Sequence, residues 1–283
     1  MLRFLGIVLA AVCCCPAQDD KPAPTIPDLE KTAQASYMHG DYEGARKQTE
    51  VLLKANPYDW KAWFLQGRIA FLTGDFKLAA ERFARIRAEL PGEPAAQMAL
   101  ALALEAFGEP AAAEPIFDRV NKADPSYASA AFGLARCRLS GATVSADDRA
   151  RAVQAFQRIP TTSALYVASQ MAIVRLLVSD APGKVAEPHG LAELKQAADV
   201  HAALGLDTQG SHLLAADLLL SAADKVGGGS PPGTTLLGCA ANPKALRLGA
   251  EKALRRAARF ASDPVALVAL VDRANQARPR TLF

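Results

Sequence analysis

Residues 60–93 read WKAWFLQGRIAFLTGDFKLAAERFARIRAELPGE, and this stretch decides the fold. Two amphipathic runs flank Thr73-Gly74-Asp75, and Pro91 closes the second. Gly74 suits a tight turn because it alone adopts positive φ at little cost. Pro91 stops the second run because proline lacks the N–H that would continue a helix. Gly67 and Ala79 fall where the two predicted helices cross and admit no bulk between them. The pattern repeats outward with a period of 34 residues. Gly40, Gly74 and Gly108 share one phase, Ala45, Ala79 and Ala113 a second, and Pro57, Pro91 and Pro125 a third. Phe83 and Phe117 keep a fourth phase, in which the first copy carries Thr49.

A fixed period of this length is the signature of the tetratricopeptide repeat (TPR), a helix–turn–helix unit that buries its apolar side only against its neighbours. The fold expected is all-α, a TPR-type α-solenoid of antiparallel helix pairs. The repeat region, 28–160, divides into copies at about 26–59, 60–93, 94–127 and 128–160. The first copy predicts helices at Leu29–Met38 and Tyr42–Lys54. Trp63, Phe83 and Ile86 complete the second; Leu104, Phe117 and Val120 complete the third. The fourth departs at Gly141–Asp148, which lengthens its turn before Ala152 and Phe156 resume the packing pair. From 161 to 283 the period dissolves but helical patterning persists, at Ala164–Ser179, Leu191–Leu204, Gly210–Val226, Lys244–Ala261 and Pro264–Ala277. A flexible loop, 227–243, opens with the Gly-rich run Gly227–Gly233. Terminal units of such arrays are commonly atypical because their outer face meets water.

Abundant Ala and Leu favour helix throughout. The formal charge of +3 is too small to call for a nucleic-acid partner. Nine Lys or Arg against three acids nevertheless gather between Lys244 and Arg280. At the start, Arg3, the apolar run Phe4–Val12 and Cys15-Pro16-Ala17 resemble a secretory signal peptide over 1–17, followed by a polar, Pro-rich linker over 18–27. That run is far shorter than the ~20 residues that span a bilayer. A secreted, periplasmic or cell-envelope location is expected, with the cytoplasm as the alternative. Membrane contact follows only if the leader is kept, or lipidated at Cys13. Beyond the leader only Cys137 and Cys239 remain, Cys137 on a predicted core face.

Reactive constellations are missing from the sequence. The four histidines are scattered, and no Cys/His spacing suits zinc, so neither metal nor cofactor is expected. His189, His201 and His212 read as solvated or capping residues. His39-Gly40-Asp41 and Asp75-Phe76 superficially match kinase motifs, but they occupy equivalent repeat turns and lack the downstream Asn and Gly. There is no phosphate loop with its Lys and no Gly-x-Ser-x-Gly elbow. The reading is not an enzyme but a scaffold for a protein or peptide partner.

In these repeats the first helix of each pair lines the concave face. Glu30, Gln34 and Tyr37 hold those positions in the first copy, Phe64, Arg68 and Phe71 in the second, Met98, Leu102 and Glu105 in the third, Phe132 and Arg136 in the fourth. Tyr37, Phe64, Arg68, Phe71 and Arg136 form the candidate groove for a peptide bearing an acidic group. The alternative is that the aromatics pack against neighbouring helices. Glu30 and Gln34 replace the first Lys/Asn positions of a two-carboxylate clamp, which disfavours chaperone tails. Arg247, Lys252, Arg255, Arg256 and Arg259 either bind an anionic lipid or acidic partner or form a solvated helix face.

From about residue 28 to its end the chain resembles the C-terminal TPR domain of the bacterial protein kinase G family of Ser/Thr kinases. The likeness is carried by Leu90-Pro91-Gly92-Glu93, Ser129-Ala130-Ala131-Phe132-Gly133-Leu134-Ala135-Arg136 and Pro160-Thr161-Thr162-Ser163. Leu246-Arg247-Leu248-Gly249, Leu270-Val271-Asp272-Arg273-Ala274-Asn275, Arg278-Pro279 and Phe283 continue it. In that family a rubredoxin-like metal module and a kinase domain precede the repeats; neither is in this sequence, so activity and metal site do not carry over. The resemblance implies the all-helical repeat fold, an interaction or homodimerisation role, and descent from a signalling system. A stand-alone regulatory subunit for a separately encoded kinase is the alternative function.

Overall fold

The computed structural model describes residues 25–179, 185–186, 189–226 and 233–279. The expected leader and most of the linker lie outside them, as does 227–232 of the Gly-rich run. The chain divides into two compact units, Met1–Leu65 and Gln66–Phe283.

The first unit holds α1 (Ile26–Met38), α2 (Tyr42–Ala55) and the opening residues of α3 (Trp60–Leu72). Thr25 caps α1 by accepting from Asp28 N–H while the Asp28 side chain returns to the Thr25 backbone. This reciprocal cap satisfies two of the N–H groups that any helix start leaves orphaned. Helix therefore begins three residues before the expected Leu29, within the segment read as linker. Gly40 takes φ +81 at the turn, and Asp41 then caps α2 through Gly44 N–H. Ala33, Ala45 and Leu52 are buried where the helices meet. Trp63 Nε1–H donates to Pro57 O at 2.9 Å and pins the next turn.

In the second unit the rest of α3 leads into α4 (Phe76–Glu89), α5 (Pro94–Phe107), α6 (Pro110–Ala123), α7 (Ala128–Arg138) and α8 (Ala146–Gln157). The turn rule recurs: Gly74 has φ +84 and Gly108 φ +93. Each of α4, α5, α6 and α7 packs on its successor. Ala79, Phe83, Ala113 and Phe117 are buried at those contacts, in the predicted phase. The later helices are α9 (Tyr166–Val178), α10 (Leu191–Leu204), α11 (Gln209–Lys225), α12 (Pro243–Ala258) and α13 (Pro264–Ala277). One apolar cluster runs from α7 to α13 through Phe156, Ile173, Leu177, Leu194, Leu218, Leu246 and Leu254. Removing a Leu or Phe side chain from water stabilises by about 1.5–3 kcal/mol, so this cluster holds the non-repetitive helices together.

Two short strand pairs depart from the all-helical expectation without altering the class, which is all-α and of TPR type. β1 (Thr143–Val144) pairs in parallel with β2 (Val185–Ala186), which gives the lengthened fourth turn a fixed partner. β3 (Thr235–Leu236) and β4 (Cys239–Ala240) form an antiparallel hairpin inside the segment expected as a loop. Leu237 (φ +49) and Gly238 (φ +76) are its two turn residues. Positive φ at both matches the right-handed twist of the strands they join.

Candidate functional site

The candidate groove residues fall in both units, Tyr37 and Phe64 in the first, Arg68, Phe71 and Arg136 in the second. The period explains two of them. Tyr37 packs on Tyr42 with ring centroids 5.9 Å apart, and Phe71 packs edge-on against Phe76 at 5.3 Å. These pairs stand at equivalent positions and brace the Gly-Asp turn between the two helices of a hairpin. Both first members are half-buried, so the turn takes part of each ring and solvent meets the rest. Phe64 and Arg68 are half-buried on α3.

The third copy carries Glu105 where the earlier copies have Tyr37 and Phe71, and the sequence gives no aromatic in its place. Glu105 instead accepts from Arg136 on α7: Nε–H at 2.6 Å and Nη2–H at 2.7 Å. The bidentate geometry ties the first helices of successive pairs side by side. Arg136 thus does not stand as an unopposed cation, and the expected attraction for an acidic peptide is shared with Glu105. Leu102 lies half-buried on α5, one turn from Glu105. Phe132 meets Phe156 edge-on at 4.9 Å, as the packing alternative required. In the first unit Glu30 and Gln34 line a cleft of about 320 Å³ over Ala33, Leu52 and Leu65, with Lys61 paired to Glu30 at 3.7 Å.

Sequence reading missed the charged residues that join distant helices. Arg149 on α8 is buried, and its guanidinium donates to both Glu193 oxygens at 2.9 and 3.1 Å. Glu193 also caps α10, accepting Gly190 N–H at 2.8 Å. Burial opposes its ionisation, yet Arg149 and the Gly190 N–H outweigh that and hold the carboxyl below the usual glutamate value. His189 is buried with Nδ1 3.9 Å from Glu193, not solvated as its flanking residues implied. Asp118 on α6 accepts from Arg158 at 2.8 Å and pairs with Lys122 at 2.5 Å. Arg138 donates to Glu114 at 3.1 Å. Nothing in the spacing of these groups signalled that they meet. Their arrangement links helices; it aligns no nucleophile with a base. Among the described residues no group of three or more His, Cys, Asp or Glu is placed to hold a metal ion.

A family model described as protein kinase G tetratricopeptide repeat matches residues 22–281. The serine/threonine-protein kinase PknG of Mycolicibacterium smegmatis is 29% identical over 264 residues, covering 90% of this chain and 33% of that protein. Its Mycobacterium leprae counterpart is 28% identical, over 85% of this chain and 30% of that protein. The chain therefore spans about a third of the length of these relatives. Similar solved structures include YrrB, described as a TPR protein with an unusual peptide-binding site (TM-score 0.48, 14% identity, 62% of this chain and 87% of that one). MamA from Desulfovibrio magneticus RS-1 also matches (TM-score 0.44, 20% identity, 48% of this chain and 74% of that one).

Proposed function

Because the chain belongs to the protein kinase G tetratricopeptide-repeat family, we propose that it is a non-catalytic scaffold that captures a protein or peptide partner on the first-helix face of its hairpins. The observation that carries this reading is the side-by-side placement of α5 and α7, clamped by Glu105 and Arg136. On this reading the clamp holds the exposed guanidinium edge of Arg136 ready beside Leu102 before any partner arrives. Pre-ordering matters because side chains immobilised only on binding subtract from affinity. Arg68 and Phe71 extend the candidate face within the same unit, while Tyr37 and Phe64 offer a first-unit counterpart. The partner expected is a segment with an apolar anchor for Leu102 and an acidic group for Arg136.

The test is affinity capture by the wild-type chain beside a Leu102→Ser/Arg136→Gln variant, with circular dichroism melts to certify folding. Loss of specific partners from the folded variant supports the face. An unchanged partner set from a folded variant removes it.

The second reading, a regulatory or dimerisation subunit of a separately encoded Ser/Thr kinase, is favoured by the 29% identity to PknG across 90% of the chain. Adding the purified chain to such a kinase and finding turnover and sedimentation unchanged would count against it.

A further inference from the structure

A second recess lies in the non-repetitive part of the molecule, where the end of α10, α11, α12 and the β3–β4 hairpin meet. Its volume is about 320 Å³. The floor is apolar: Ala215 and Leu219 from α11, Ala253 from α12 and Leu237 from the hairpin. Leu237 is the single non-glycine residue with positive φ among the described residues. A β-hairpin turn of this kind prefers Asn or Gly at that position, and residues held in such sparsely populated conformations cluster at ligand-binding sites. Cys239 forms part of the wall. Its sulfur lies so near Gly249 that a Cβ there would stand 2.5 Å away, so only glycine lets the hairpin close on α12.

The mouth is basic. Lys252 and Arg256 stand one turn apart on α12, and no Asp or Glu is among the described residues that line the recess. Their neighbours on the same helix are spent elsewhere: Arg247 pairs with Asp224 at 2.7 Å, and Arg255 with Glu251 at 3.0 Å. Lys252 and Arg256 have no carboxylate partner among the described residues. Like charges four residues apart on a helix repel, and an anion between them relieves that repulsion. His201 and His212 complete the rim with fixed rings. Nε2 of His201 lies 2.9 Å from both the carbonyl and the hydroxyl oxygen of Ser211. His212 Nε2 contacts Asp207 at 2.7 Å, while its ring tilts against Phe260.

An apolar floor under an unpaired cationic mouth selects one chemical class. We propose that this recess binds a small organic anion, its apolar body over Leu219 and Leu237 and its carboxylate or phosphate between Lys252 and Arg256. The site is independent of the partner-binding face.

Cys239 supplies a built-in reporter. The full-length chain is alkylated with neutral iodoacetamide or anionic iodoacetate, and the rate at Cys239 is read from its own peptide by mass spectrometry. Iodoacetate is expected to gain by about tenfold relative to iodoacetamide, as cationic clefts concentrate anions, and Lys252→Gln/Arg256→Gln abolishes that gain. Benzoate or phenyl phosphate slows both reagents in the wild type, and whichever protects better identifies the head group. Inorganic phosphate at equal ionic strength, having no apolar body, protects less. An iodoacetate-to-iodoacetamide ratio unchanged in the double variant overturns the proposal. So does protection by inorganic phosphate equal to that by phenyl phosphate, or no protection by either aromatic anion. A circular dichroism melt shows that the variant is folded, and a Leu237→Gly variant, which keeps the turn but removes floor, is expected to weaken protection independently of charge.

Discussion

Gly133 on α7 lies directly beneath the ring of Phe117 on α6, where an added Cβ would stand 2.5 Å from ring carbons Cε1 and Cζ. Gly67 meets Phe83 in the same way, at 2.6 and 2.7 Å. The two phenylalanines are one period apart, but the glycines are not. Phe83 uses the glycine of its own hairpin; Phe117 uses one from the following hairpin. In the third copy Gly67 is replaced by Ala101, so the close approach moves from within a repeat to between repeats.

Gly133→Ala is therefore expected to destabilise by about 1–3 kcal/mol, the usual range for overpacking a full core. Phe117 is fully buried and has nowhere to retreat. Gly92→Ala is the control, since nothing lies within 4 Å of a Cβ there and its φ is ordinary. That change should be neutral or slightly stabilising. Chemical denaturation of both variants by circular dichroism checks the contrast, and equal midpoints would refute it.

At Gly74 the cost is of another kind. A Cβ would touch nothing, but φ is +84. Gly74→Ala should then lose about 1–2 kcal/mol from backbone conformation alone. Gly74→Asn should lose less, because asparagine tolerates the left-handed region. Thermal melts ranking Asn below Ala would contradict a purely conformational cost.

The hairpins were readable because their signals are local. Helices expected at Leu191–Leu204 and Pro264–Ala277 have those bounds, and Tyr42–Lys54 extends by one residue to Ala55. Glycine turns, capping aspartates and closing prolines each act within a few residues, so spacing reveals them. Arg149 and Glu193 are 44 residues apart in non-repetitive sequence, and only the folded core brings them together. The β3–β4 hairpin hid for a similar reason: Thr235–Ala240 lacks the alternating pattern and the Asn-Gly turn that advertise one. Tyr37, Phe71 and Glu105 share one phase of the period in the sequence, but nothing in it revealed that Glu105 would claim Arg136.

Acid should unfold the second unit through Glu193. Its folded pKa lies below the ordinary value of 4.5, so its contribution is complete above that pH. The contribution is lost as pH falls from the ordinary value through the folded one. Glu193→Gln leaves Arg149 buried without its counter-charge and should cost about 3–5 kcal/mol near neutral pH. It should also flatten the dependence of the melting temperature on pH below the ordinary glutamate range. A variant that melts like the wild type at pH 7 would show that the pair is dispensable.

Glu105→Gln removes the counter-charge of an arginine whose side chain is 52% exposed, so stability should change by less than about 1 kcal/mol. Binding should respond more. Without the clamp Arg136 is no longer held in place before the partner arrives, and capture of an acidic partner segment should weaken at low and high salt alike. Measuring partner affinity at two ionic strengths, with melting temperature as the companion reading, separates the two effects. A rise in affinity at low salt that high salt removes would mean that the charge Glu105 neutralises matters more to the face than the orientation it imposes on Arg136.

Cys137 and Cys239 differ in a way that a single labelling experiment reads out. Cys137 is buried on α7, and desolvation pushes its thiol up to about 12. Only the thiolate attacks an alkylating reagent. At pH 8 a thiol of that acidity is ionised to about one part in 10⁴, given its distance from an ordinary cysteine. Cys239 is partly exposed on the hairpin. Iodoacetamide should therefore modify Cys239 while leaving Cys137 intact, until denaturant opens the helix stack and both label alike. Because labelling of Cys137 requires α7 to leave its neighbours, its rate along a denaturant series measures the openings, local or global, that expose that helix. Modification of Cys137 as fast as Cys239 in native buffer would mean that α7 is not held as packed as its contacts with α6 and α8 require.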